Sequence, residues 1–290
     1  MTLPAFELDG LAFGGEHPIR VSEFSPGGPD LSNQDSPVGV DDGVLVGRDY
    51  LGASTWGFDM FTNVDDYAEA MELAGQVAAR WLRRDVRTTP GAVLPLRYHM
   101  AGRWRRVYGR PRRYAGPDGG LLTSMGRAEM TADFLAVDHL FYDDEERSIS
   151  VGTVPATVGG IIAPIITPIT TARRSEMERP GQFEIGGSAP TWPTITIAGP
   201  IRDPEVRIGD WHLRLVGNLA YDRSITINTA PWARSATRND GAHVGGMLHP
   251  TVRLGGLALE PGHHEVILTG VDTTGTARAT IAWRDAHYSL

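Results

Sequence analysis

The stretch FLAVDHLFYDDEE, Phe134 to Glu146, packs an aspartate, a histidine and four further acids into thirteen residues. Those side chains are the raw material of a metal site or of acid–base catalysis. Their spacing argues against both. Asp138 and His139 are consecutive, and consecutive residues of a strand point to opposite faces, so they do not share one ion. The run Asp143, Asp144, Glu145 and Glu146 lacks the interleaved glycine and spaced oxygens of a calcium loop. It reads as a solvated acidic turn where a strand stops, and replacing all four acids with alanine is expected to cost little.

Other chemistry is no better supported. His263 and His264 are the adjacent pair among nine histidines, but they follow the Pro261-Gly262 turn at the start of a strand, which splays them across the pleat. No H-E-x-x-H, G-x-S-x-G or S-x-x-K occurs, and the glycine-rich pieces fit neither phosphate-loop nor dinucleotide patterns. Without a single cysteine there is no disulfide, no cysteine-ligated zinc and no thiol nucleophile. Carboxylates assembled across loops for glycoside hydrolysis stay open, because such pairs meet in space. Trp192 and Trp232, each beside a proline in a loop, are candidates for stacking a sugar or for an interface; Trp283 shares a strand face with Ala277, Ala279 and Ile281 and belongs in a core.

The charge distribution is more informative. All 27 basic residues are arginine, and the chain carries a net charge of −8. Residues 1–50 hold nine acids against Arg20 and Arg48, whereas residues 80–113 hold eleven arginines against Asp85 alone. Within the arginine block lie Tyr98, Trp104 and Tyr108. A pI near 5.6 and the absence of any known nucleic-acid module set nucleic acid below two other readings, a solvated face and a protein interface matched to an acidic surface. If the two patches lie on different sides of the fold, copies meet head to tail and close a ring.

At 290 residues the chain is long for one domain and comfortable for two, on a prior of about 150 residues each. With 35 glycines, 20 prolines and 41% hydrophobic residues it suits a turn-rich, mainly β protein. One helix is predicted in TNVDDYAEAMELAGQVAARWLRRD, with Tyr67, Met71, Ala74, Ala78 and Trp81 on one face and Asn63 as N-cap. A hairpin turns at Ala101-Gly102, and Ala128, Met130, Ala132, Phe134 and Ala136 form the buried face of a strand whose packing continues through Phe141 and Tyr142. The proline-rich stretch 151–182 reads as a connection, with GGIIAPIITPIT as a covered edge strand in the alternative. Seven short strands follow, TVRLGG among them, at the spacing of a sandwich or barrel. The N-terminus has no signal-peptide pattern and no stretch is long enough to span a membrane, which implies synthesis in a cytoplasm.

Several segments in order, GRDYLGASTWGFDMFT, GRWRRVYGRPRRY, ADFLAVDHLFYDDEE, FEIGGSAPTWPTITIAGPIRDPEV and the ending from Leu259, resemble the distal tail proteins of long, non-contractile-tailed phages. The resemblance runs from about residue 43 to the end. It implies a belt domain of α+β character over 1–150, a connection at 151–182 and a galectin-like β-sandwich over 183–290. It also implies a structural virion component, made in the host cytoplasm, without catalytic residues or cofactors. Members form a homo-hexameric ring at the tail tip between the tail tube protein and the tail-associated hub or receptor-binding machinery, with the tape measure protein as a further partner. On this reading Arg103, Arg105, Arg106, Arg110, Arg112, Arg113, Asp41 and Asp42 are the candidate interface residues. His139 stands where the family commonly has proline, and the galectin signature W-[GS]-x-E-x-[RK] is missing, so sugar binding by that route is not expected. Carbohydrate binding for host-surface recognition is the alternative function.

Overall fold

The computed structural model describes residues 4–39, 42–153 and 181–290. They fall into two compact units, Met1–Glu145 with His287–Leu290, and Glu146–Ala286. The predicted connection at 151–182 lies mostly outside the described residues, as does the alternative edge strand within it.

In the first unit, β1 (Ala5–Leu8), β2 (Leu11–Gly14) and β3 (Ile19–Pro26) precede an arm made of the short pairs β4 (Leu31–Ser32) with β7 (Tyr50–Leu51) and β5 (Ser36–Pro37) with β6 (Val44–Leu45). There follow β8 (Ser54–Thr62), α1 (Tyr67–Trp81), α2 (Arg84–Thr88), β9 (Leu94–Met100), β10 (Arg103–Ala115), α3 (Leu121–Ser124), β11 (Glu129–Ala136) and β12 (Phe141–Asp143). The main antiparallel sheet runs β2-β1-β9-β10-β11-β8-β3. Its end strands β2 and β3 are consecutive in the chain and lie against each other, so the sheet curls around an aromatic core of Phe6, Phe13, Trp56, Phe58, Trp81 and Tyr98.

Alternation builds that core. Ala128, Met130, Ala132, Phe134 and Ala136 are all buried, while Glu129, Thr131 and Asp133 face out or lie at the margin. Between β9 and β10, Ala101 and Gly102 both take positive φ, 50° and 78°, which is the two-residue turn that matches strand twist. Helix α1 packs on this core with Ala70, Ala74, Val77 and Trp81. That face is rotated from the predicted one: Ala74 and Trp81 are shared, but Tyr67 and Met71 are exposed. Alanines on several sides leave the periodicity ambiguous, and Trp81 decides it by wedging against Phe13 and Phe58 and donating to the Asp133 carbonyl at 3.0 Å. The N-cap is Asp66, whose carboxylate accepts from the Glu69 amide, rather than Asn63.

The second unit is a sandwich of two antiparallel sheets. One is ordered β13 (Arg147–Gly152), β22 (Arg278–Trp283), β15 (Thr194–Ala198), β19 (Ser224–Asn228), β20 (Ser235–Arg238). The other is β14 (Gly181–Ile185), β21 (Gly262–Val271), β16 (Ile201–Ile208), β17 (Trp211–Arg214), with β18 (Asn218–Leu219) against β16. Between them lies an aliphatic core that includes Ile195, Ile197, Ile225, Ile227, Leu268, Ile281 and Trp283. β13 pairs with β22 over its whole length, which places Arg147–Gly152 in the second unit. TVRLGG forms a 3-10 turn at Leu254–Gly256 instead of a strand, and β20, with Ala236 as its one buried apolar residue, replaces it in the sheet. The protein is mainly β throughout, and no helix of the described residues is long and apolar enough to cross a membrane.

Candidate functional site

Strand β10 organises the candidate surface. Its first half pairs with β12, Arg105 opposite Asp143 and Arg106 opposite Tyr142, and its second half pairs with β11, Gly109 opposite Ala136. Two short strands thus share one edge of β10; Val137 still donates to the Tyr108 carbonyl at 2.8 Å, and the chain from Asp138 to Leu140 leaves the ladder. The single strand predicted through Tyr142 is therefore broken at Asp138 and His139. Gly109 allows the crossing: a Cβ there would lie 2.2 Å from the Leu135 carbonyl oxygen and 2.5 Å from the Phe134 ring.

The first half of the acidic run, Asp143 and Asp144, is structural rather than solvated, which corrects the reading from sequence, while Glu145 and Glu146 are exposed as that reading expects. Asp144 takes a bidentate hydrogen bond from Arg97, the shortest at 2.7 Å, and another pair from Arg106, the shortest at 2.6 Å. Burial pushes the Asp144 carboxyl up, but these guanidinium hydrogen bonds outweigh it and hold its pKa below the usual carboxylate value. Arg97 also reaches Glu7 at 2.6 Å. Asp143 meets His287 at 3.0 Å and lies 3.7 Å from Arg105, whose guanidinium also donates to the Ser289 carbonyl at 2.7 Å. Asp138 turns inward, accepting from the Tyr142 hydroxyl at 2.7 Å and the Leu140 amide; burial pushes its pKa up to about 6 against the pull of those bonds. His139 goes the other way and stacks on Tyr288, and burial lowers its pKa. The two residues line one cleft of about 420 Å³ with Trp56, Val107 and Phe141, and their side chains take different partners there.

The six candidate arginines divide. Arg105 and Arg106 are held by Asp143 and Asp144, and Arg110 donates to the carbonyls of Ala92 and Thr89. Arg103, Arg112 and Arg113 are exposed, with no ion pair among the described residues. A register shift between Pro111 and Tyr114 sets Arg112 and Arg113 together opposite the single residue Asp133, a β-bulge that turns both outward. The acidic N-terminal segment divides as well: Glu7 and Asp9 are tied to Arg97 and to Arg80 and Arg83, so the two charge patches are partly neutralised inside the chain. What stays open is the arm, where Asp42 is exposed and Asp41 lies outside the described residues. The arm also exposes Leu31, Val44, Leu45, Val46 and Tyr50, with Val46 at 83%.

Among the described residues no group of three or more histidines and acids is placed to hold a metal. His263 and His264 diverge, the latter bonding the Glu260 carbonyl and packing on Phe183. The Asp144 hub escaped sequence reasoning, since its partners lie 47 and 38 residues away.

No family model and no curated protein matches the chain. Solved structures do. The Dit protein (gp 19.1) of phage SPP1, described as a paradigm of the hub adsorption apparatus in phages infecting Gram-positive hosts, matches with a TM-score of 0.59 over 98% of each chain at 15% identity. The phage P2 baseplate in its activated conformation matches with calcium (TM-score 0.59) and with strontium (0.58), each at 15% identity over 97% of this chain and 98% of that one. Both units together therefore have the fold of phage Dit hub and baseplate proteins.

Proposed function

We propose that the chain is a structural component of a non-contractile phage tail, a homo-hexameric ring at the tail tip that joins the tail tube to the hub, and not an enzyme. The observation that carries this reading is the likeness to the SPP1 hub protein across 98% of both chains, so that the likeness spans both units. The division of charges supports the ring. Arg103, Arg112 and Arg113 point outward, and the arm offers Asp42 together with apolar side chains that need a cover. A head-to-tail contact between these different surfaces closes into a ring. Arg105, Arg106 and Arg110 keep the β10 edge rigid and do not touch the neighbour.

Light scattering and negative-stain microscopy of the purified protein test the reading. Six-membered rings are the expected result. A monomer at every concentration that also forms no ring with the tail tube protein would overturn it.

A further inference from the structure

The outer face of the sheet β13-β22-β15-β19-β20 carries an ordered array of hydroxyl groups. The ladder registers place Ser150 opposite Thr280, Thr280 opposite Thr196, Thr196 opposite Thr226, and Thr226 opposite Thr237. One row of hydroxyls thus crosses all five strands. The next row runs Ser148, Ala282, Thr194, Asn228, Ser235. No position in either row is charged or aromatic, in a chain with 21% charged residues. The inward residues of the same strands, Ile195, Ile197, Ile225, Ile227 and Ile281, fill the core, so the pleat obliges these side chains to face out.

Geometry makes the array a lattice, with roughly 4.8 Å between strands and twice the residue rise along each. The Thr196 and Thr226 hydroxyls are 3.3 Å apart, as are those of Thr280 and Ser150. Each hydroxyl has one donor and two acceptor positions, so most of this capacity is left for a ligand. Threonine is stiff at χ1, so little side-chain entropy is lost when a ligand is bound.

The chemistry of the face selects its partner. Protein interfaces favour aromatic residues, methionine and arginine and are poor in serine, the reverse of this surface. Nucleic acid needs cations to displace its counterions, and Arg278 at the margin is turned to the carbonyls of Gly275 and Ala277. A neutral surface of donors and acceptors complements a neutral chain of donors and acceptors. At the end of the array the alternation of burial continues through Trp192, a partly buried indole two residues before Thr194 whose exposed part gives a sugar ring a stacking surface. We propose that this sheet face binds an uncharged polysaccharide laid across the strands, with the row Ser150–Thr280–Thr196–Thr226–Thr237 as its hydrogen-bonding floor.

The test is retention of the full chain on an immobilised panel of neutral polysaccharides, glucans, galactans, mannans, rhamnans and chitin. It compares the protein with its T196V/T226V/T280V variant and with T131V as a control on the first unit. Valine keeps the branched shape and strand preference, so the variant folds, which its near-UV circular dichroism verifies. The expected result is retention on at least one polysaccharide, weakened about tenfold or more by the triple change and untouched by T131V. Retention on no member of the panel, or equal retention of the triple variant, would overturn the proposal.

Discussion

The two halves of β10 use the same residue for opposite ends. In the first half Arg105 and Arg106 are pulled into the fold, Arg106 with 16% of its side chain exposed, by acids on β12 and the turn after it. In the second half the bulge after Pro111 leaves Arg112 and Arg113 in solvent beside β11. Three arginines lie on each side of Gly109; what differs is whether the carboxylate across the ladder pairs with them, as Asp143 and Asp144 do with Arg105 and Arg106 and as Asp133 does not with Arg112 or Arg113. An arginine with such a partner stabilises the chain that contains it, and one without is available to another chain.

The largest effect is expected from breaking the first half. Asp144→Ala leaves the mostly buried Arg106 guanidinium without its carboxylate and takes one of two from Arg97, and should destabilise the first unit by about 2–3 kcal/mol, at the low end for a buried pair because Arg97 keeps Glu7. Urea denaturation at pH 7 measures this. Since the Asp144 pKa is depressed in the folded state, its contribution is present above the ordinary carboxylate pKa and is lost as pH falls through the folded value. The gap between the two proteins should therefore close in acid. A loss at pH 7 no larger than that of Glu145→Ala would return the acidic run to the status of a solvated turn.

Next comes the pivot between the halves. Gly109→Ala drives a methyl group into the Leu135 carbonyl and the Phe134 ring, and about 2 kcal/mol is the expected loss, read in the same denaturation experiment. A smaller change of opposite sign is expected at Asp138. Its pKa of about 6 means that ionisation opposes folding at neutral pH. Stability from this group is full below about pH 4 and is lost as pH rises through about 6. Asp138→Asn, which keeps an acceptor for the Tyr142 hydroxyl, should raise stability at pH 7.5 by about 1 kcal/mol and have no effect at pH 4. A variant less stable than the parent at pH 7.5 would show that the carboxylate charge itself is needed there.

How much of this was legible varies with the range of the interaction. The strand from Ala128 to Ala136, the hairpin at Ala101-Gly102 and the inward face of Trp283 depend on period-two alternation or on adjacent residues, and the sequence displays both. The helix face was only half legible, because alanine fits a core and a surface alike and Trp81 alone fixes the rotation. The Asp144 hub, the break in the ladder at Asp138 and the return of His287–Leu290 to the first unit depend on residues far apart in the chain. Nothing local marks Arg106 as bound and Arg112 as open; the bulge that separates them depends on how β11 registers against β10. The hydroxyl rows were hidden for the same reason, since Ser150, Thr280, Thr196, Thr226 and Thr237 become a line only when five strands are aligned.

The smallest effect on stability is expected from the second half of β10, and it separates the halves most sharply. Arg112→Glu with Arg113→Glu removes no ion pair among the described residues and should move the unfolding midpoint by no more than about 0.5 kcal/mol in equivalent stability. Asp133 sits opposite the bulge, so the new acids add some like-charge repulsion, and the sign should be slightly destabilising. On the proposed ring, assembly is expected to respond quite differently: a surface that was positive becomes negative against an acidic arm, and mass measured by light scattering should fall from the assembly to the single chain. Arg106→Glu should do the reverse, costing stability first and assembly only through unfolding. If the Arg112/Arg113 variant still forms rings, the open half of β10 does not face the neighbour. The apolar side of the arm, Leu45 and Val46, would then be the next surface to change.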